Sequence, residues 1–119
     1  MSKEWMKTIV DRYPYQFATP TFQFAVGDGW AELMAEMCRR VDVVLDEEWK
    51  DGASFRWTDI KEKFGSLRAS STGPDEVERV VDWAEEVSLR TCEICGRNGR
   101  LRRAGWLSVR CDMHEEFSR

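Results

Sequence analysis

A chain of 119 residues, 42% apolar and 34% charged, has room for one domain with a true core or for a small domain with an appended module. Its longest apolar runs are too short to span a bilayer, and its start is amphipathic rather than a signal-peptide core, so a cytoplasmic protein without a membrane partner is expected. The net charge of −4 conceals a split: residues 1–89 hold 11 Lys and Arg against 18 Asp and Glu, net −7, whereas residues 90–119 hold 7 Arg against 4 acids, net +3.

The first helix is expected over residues 3–12, capped by Ser2, with Trp5 and Ile9 on its apolar stripe and Met6 beside them. Tyr13-Pro14 should end it, because the residue before proline is pushed out of the helical region. From Tyr15 to Val26 the chain reads as extended, with Phe17, Phe22 and Phe24 spaced for burial.

A second helix follows Asp28, the expected cap, and Gly29. Trp30, Leu33, Met34, Met37, Val41, Val44, Leu45 and Trp49 recur at three- and four-residue intervals against a charged face. Cys38 lies next to that stripe and reads as a small buried hydrophobe. Residues 54–60 alternate as a strand, Lys61 to Gly65 reads as a charged turn anchored by Phe64, and Ser66 to Ser70 returns as the partner strand. Gly73-Pro74-Asp75-Glu76 opens a third helix, with Pro74 at its first position and Val77, Val80, Val81, Ala84 and Val87 inward. Trp83 falls at the margin of that stripe.

The last quarter carries the most specific pattern, Cys92-x2-Cys95-x15-Cys111-x2-His114. Pairs of soft ligands two residues apart reach one zinc ion from a tight turn, and Gly96 supplies the backbone freedom a knuckle needs. Between the pairs, residues 99–103 and 106–110 flank Ala104-Gly105 as a hairpin, and Asp112 onward can begin a short helix. Knuckle, hairpin and helix in that order describe a treble-clef-like zinc finger, and four protein ligands make the zinc structural rather than catalytic. A redox C-x-x-C is the competing reading, but it leaves Cys111 and His114 unexplained. With the one histidine of the chain used as a ligand, none remains for a nuclease of this architecture, so no enzyme is expected.

Other residues suit binding. Asp42, Asp46 and Glu47, with Trp57 and Trp83, are candidates for a protein-binding surface, although Trp30, Trp49 and Trp106 read as core. Arg97, Arg100, Arg102, Arg103 and Arg110 cluster on the zinc hairpin and are candidates for phosphate contact, with Trp106 available for stacking.

Four segments carry a resemblance: Gly29-Trp30 with Leu33 and Cys38; Lys61-Glu62-Lys63-Phe64-Gly65-Ser66-Leu67-Arg68; Ala84-Glu85 with Ser88, running into Thr91-Cys92-Glu93-x-Cys95-Gly96; and Gly105-Trp106 with Cys111 and His114. Together, over roughly residues 29–115, the chain resembles a family of small bacterial and phage proteins with a K-E-K-F-G-x-L-R segment and a C-terminal C-x2-C…C-x2-H site. It departs from that pattern after Arg68, where Ala69-Ser70 stand in place of aromatic residues. The resemblance implies a phage or mobile-element context, in which small acidic proteins are often inhibitors.

The expected fold is α+β: an acidic body over residues 1–89 and a zinc-binding, treble-clef-like module over 90–119 packed on it. The expected function is a zinc-stabilised protein-binding inhibitor of immunity or phage anti-defence type, the alternative a nucleic-acid-binding zinc module using the arginine-rich hairpin.

Overall fold

The computed structural model describes residues 4–103 and 107–115. The expected Ser2 cap, the Ala104-Gly105 turn, Trp106 and the end of the expected terminal helix lie outside these residues. The fold is mixed α and β, with three helices and two small antiparallel hairpins.

Helix α1 (Glu4–Arg12) buries Met6, Ile9 and Val10, with Trp5 partly buried beside them. It ends where Tyr13 leaves helical geometry (φ −129°, ψ 60°) ahead of Pro14. Residues 17–26 form no regular strand. Their one ladder contact is a parallel bridge, in which the Ala25 N–H donates to the Ile60 carbonyl and the Ala25 carbonyl accepts from the Glu62 N–H. Phe17, Phe22 and Phe24 pack on one another with ring centroids 5.0–5.6 Å apart, as their spacing predicts.

Helix α2 (Ala31–Val44) buries Leu33, Met34, Met37, Cys38 and Val41. Asp28 does not cap it. A 3-10 turn, Asp28–Trp30, intervenes, and the Asp28 carboxylate accepts the Trp5 indole N–H at 2.9 Å. The helix also stops short of Trp49. Leu45 turns extended (ψ 135°) and is itself buried, so Trp49 rides a separate turn, Glu47–Lys50.

Strands β1 (Trp57–Lys63) and β2 (Ser66–Ser71) pair with Lys63 opposite Ser66, leaving Phe64-Gly65 as a two-residue turn. Both turn residues have positive φ, 55° and 88°, the requirement of a type I′ hairpin, whose twist matches that of the strands. Lys61 to Lys63 therefore belong to the strand, not to a turn. Nor is Phe64 an anchor, because it is 64% exposed. The left-handed conformation costs an L-residue with a Cβ about 1–2 kcal/mol, and burial of the ring does not offset that here. A Cβ on Gly65 would also stand 2.6 Å from Leu101 Cδ1 on the neighbouring hairpin, a side-chain end that would have to shift.

Helix α3 (Asp75–Ser88) turns Val77, Val80, Val81 and Ala84 inward against α2 and β2, with Pro74 at its cap position rather than inside it. The Ser88 hydroxyl accepts the Leu67 N–H at 3.0 Å, tying the helix end to the hairpin. Trp57 is buried (2% exposed) and donates its indole N–H to Gln16 Oε1 at 2.9 Å, so it cannot serve as an exposed partner anchor. Gln16, fully buried, completes this polar contact by donating to the Cys38 carbonyl at 3.0 Å. Cys38 is fully buried as expected, and burial pushes its thiol up. Among the described residues no helix is long and apolar enough to cross a membrane.

Candidate metal centre

Three short pieces of chain bring Cys92, Cys95, Cys111 and His114 together. The first pair sits in a knuckle, in which the Gly96 N–H donates to the Cys92 carbonyl at 2.9 Å and the Cys92 N–H to the Arg97 carbonyl at 2.8 Å. Gly96 closes it with φ 83°, a conformation glycine reaches without a Cβ clash. Strands β3 (Arg100–Arg102) and β4 (Ser108–Arg110) pair antiparallel with Leu101 opposite Val109. The Val109 carbonyl then accepts the Glu93 N–H at 3.0 Å, drawing the knuckle onto β4. Cys111 follows β4 directly, and the single 3-10 turn Asp112–His114 presents the fourth ligand. Of the expected terminal helix, this turn is what the described residues contain.

The four ligand atoms all lie within 4.8 Å of one another. Cys95 Sγ stands 3.6 Å from Cys111 Sγ, and His114 Nδ1 stands 3.2 Å from Cys111 Sγ and 3.7 Å from Cys92 Sγ. The edges of a tetrahedron built on metal–sulfur and metal–nitrogen bonds of the usual zinc lengths are about 3.5–3.8 Å. Three thiols and one imidazole at these separations can hold one metal ion. Burial pushes the Cys92 thiol up, but backbone N–H groups of Cys111, Cys95 and Ile94 and the His114 ring outweigh it and bring it down to about 6. For Cys95, the Arg97 N–H favours the thiolate, yet desolvation and the shared hydrogen bonds with Cys111 and Cys92 leave the thiol raised. A cation among the sulfurs removes that mutual cost.

The site is joined to the helical body through backbone. Gly29 donates to the Glu93 carbonyl at 2.9 Å, and the Trp30 indole N–H donates to the Thr91 carbonyl at 2.8 Å. A Cβ on Gly29 would press on the Cys92 carbonyl oxygen and stand 2.8 Å from the Cys95 nitrogen, so only glycine admits this approach.

The five hairpin arginines do not form one surface. Arg110 is 1% exposed; it donates to the His114 carbonyl at 3.2 Å and lies 3.6 Å from the buried Glu93 carboxylate. Arg102 is held by Asp112 at 2.9 Å and also donates to the Arg110 carbonyl at 3.2 Å. Both brace the turn that carries Cys111 and His114, and neither is available to a phosphate. Arg97, Arg100 and Arg103 are exposed. Spacing alone could not separate the two groups, and strand alternation gives no signal either, because Ser108, Val109 and Arg110 of β4 are all buried.

The acidic candidates also divide. Asp42 accepts the Tyr15 hydroxyl at 2.8 Å and faces Lys50 at 3.4 Å, whereas Asp46 and Glu47 are exposed. Trp83 is half-buried, with the Arg40 guanidinium 3.7 Å from its ring centroid covering one face of the ring. Val44, expected on the buried stripe of the second helix, is instead 38% exposed, and Val43 beside it 69% exposed, just ahead of Asp46. No family model matches the chain, and neither does any curated protein or solved structure with which it was compared.

Proposed function

We propose that this protein is a non-catalytic binding protein whose C-terminal segment is held by a structural zinc ion and arranged as a treble clef. It acts by occupying a protein partner, as an inhibitor of the immunity or phage anti-defence type. The observation that carries the reading is the closed set of four mutually adjacent ligands, Cys92, Cys95, Cys111 and His114. A zinc ion held by all four has no position open for water, so its contribution is to folding. The end of α2 supports the second half: Val43 and Val44 are exposed beside Asp46, Glu47 and Glu48, an apolar pair rimmed by acids. Such a patch suits a partner surface with an apolar centre and basic surroundings.

Protein purified without chelator is expected to carry about one zinc per chain by elemental analysis. Tagged protein, expressed in a host carrying its neighbouring genes, is expected to recover one stoichiometric protein. Reversing Asp46 and Glu47 to lysine is expected to lose that protein while the zinc content stays. Well under half an equivalent of zinc would overturn the metal assignment, and recovery unaffected by the reversals would overturn the partner surface.

A further inference from the structure

We infer that the tip of the β1–β2 hairpin is a contact site for single-stranded nucleic acid, with Phe64 stacking on a base and Lys63, Arg68 and Arg103 meeting the phosphates. This site is separate from the acidic patch at the end of α2; Lys63, Phe64 and Arg68 lie on the β1–β2 hairpin, and Arg103 comes from the segment that carries the metal ligands.

The argument begins with a residue that breaks a local rule. Type I′ turns favour Asn, Asp or Gly at both central positions, yet here the first is Phe64, with φ 55° and the ring 64% exposed. Its strain is not repaid by packing within the molecule, and such violations concentrate at functional sites. The consequence is a planar apolar ring displayed at the end of a rigid hairpin.

The charge around the ring selects the occupant. In the β1–β2 register Asp59 lies opposite Ser70, Lys61 opposite Arg68 and Lys63 opposite Ser66, so these six residues share one face of the hairpin. The inner face carries Ile60, Leu67 and Ala69 toward the core. Lys61 is paired with Asp59 at 3.0 Å, but Lys63 and Arg68 have no carboxylate partner among the described residues. Lys63 Nζ lies 5.5 Å from the centroid of the Phe64 ring, and the Arg68 guanidinium bonds only the small Ser66 hydroxyl, at 3.3 Å. The second hairpin adds to this surface. Leu101 packs on the Gly65 turn, and exposed Arg103, two residues beyond it, likewise has no carboxylate partner among the described residues.

Lys63 thus lies beside the exposed Phe64 ring, with exposed Arg68 on the same hairpin face and exposed Arg103 beyond Leu101, while the nearby Glu62 carboxylate is engaged by the Gly65 N–H at 2.8 Å, on a protein of net charge −4. A polyanion with accessible π-faces matches both features, and unpaired nucleotides are that polyanion. A duplex hides its base faces, and the acidic body would repel its dense phosphates. The tip is convex and rimmed by charge, which does not provide the dry apolar ring that surrounds a protein hot spot.

The test is fluorescence anisotropy of a labelled oligothymidine of about twelve nucleotides with the full-length protein, in low and in physiological salt. Binding is expected, with log affinity falling against log salt at a slope of about −2. Phe64→Asn is expected to weaken it about ten-fold while raising the melting temperature, because asparagine tolerates the left-handed turn position. Lys63→Glu with Arg68→Glu should abolish binding, whereas reversal of Asp46 and Glu47 should leave it intact. The inference is overturned if the oligonucleotide does not bind at low salt, or if Phe64→Asn binds as well as the parent. It is equally overturned if polyglutamate competes as strongly as the oligonucleotide, since charge alone would then explain the binding.

Discussion

Arg110 brings a full positive charge to a position of 1% exposure, where it faces the buried Glu93 carboxylate and donates to the carbonyl of His114, one of the four residues that could hold a metal ion. A buried pair of this kind contributes little net attraction once desolvation is counted, but removing one member leaves the other buried without its counter-charge. Arg110→Met is therefore expected to lower unfolding free energy by about 3 kcal/mol in urea titrations and to weaken metal retention against a competing chelator. An effect near zero on both would show that Glu93 finds another partner. The five arginines look alike in sequence, and what distinguishes Arg110 from Arg97 is a carboxylate 17 positions away in the chain for one and open solvent for the other. Trp57 teaches the same lesson, because its buried state rests on Gln16, 41 residues earlier.

Helices were the most legible elements, because the three- and four-residue recurrence of apolar side chains is a local property. Both α2 and α3 bury most of the stripe their spacing predicts, but Val44 at the end of α2 is exposed and Val87 near the end of α3 is only partly buried. Boundaries were less legible. α2 stops at Val44 because Leu45 gains burial by turning extended, a choice made by the core rather than by helix propensity. On the exposed face of α2, Arg39 and then Arg40 hold the Glu36 carboxyl well below the usual carboxylate range, at about 2. Since the folded value is depressed, the stabilisation is complete above the unfolded value near 4.3 and is lost as pH falls from there toward 2. Solvent screening limits it to about 0.5 kcal/mol, because the Glu36 side chain is 36% exposed. Thermal melts should show Glu36→Gln less stable than the parent at pH 6, with the gap narrowing below about pH 4 and closing as pH approaches 2. A gap independent of pH would mean that the arginines do not act through charge.

Across the molecule, the core cluster runs from Met6 to Ala84 and does not include Cys92, Val109 or Cys111. The last quarter is attached instead by backbone hydrogen bonds to the start of α2 and by the Gly65 turn against Leu101. Structural zinc contributes on the order of 10 kcal/mol to the folding of the segment that binds it. Stripping the proposed zinc with a strong chelator is thus expected to lower the melting temperature of the whole chain in one transition, because α2 loses the Glu93 and Thr91 carbonyls that anchor Gly29 and Trp30. If residues 1–89 instead melt unchanged while 90–119 lose protection from hydrogen exchange, the two segments fold independently.

The ligand quartet was determined by the sequence itself. Two pairs of soft ligands, each with a spacing of two, leave few alternatives once a chain must satisfy them locally, and the structure brings those four residues within 4.8 Å of one another. The helices belong to the same class of local information. What only the tertiary structure decided is the fate of individual side chains of one type: which arginine is buried, which tryptophan is core, and that Phe64 stands in solvent rather than anchoring a turn. Burial depends on contacts between residues far apart in the chain, and no local pattern encodes which of several equivalent side chains will meet them.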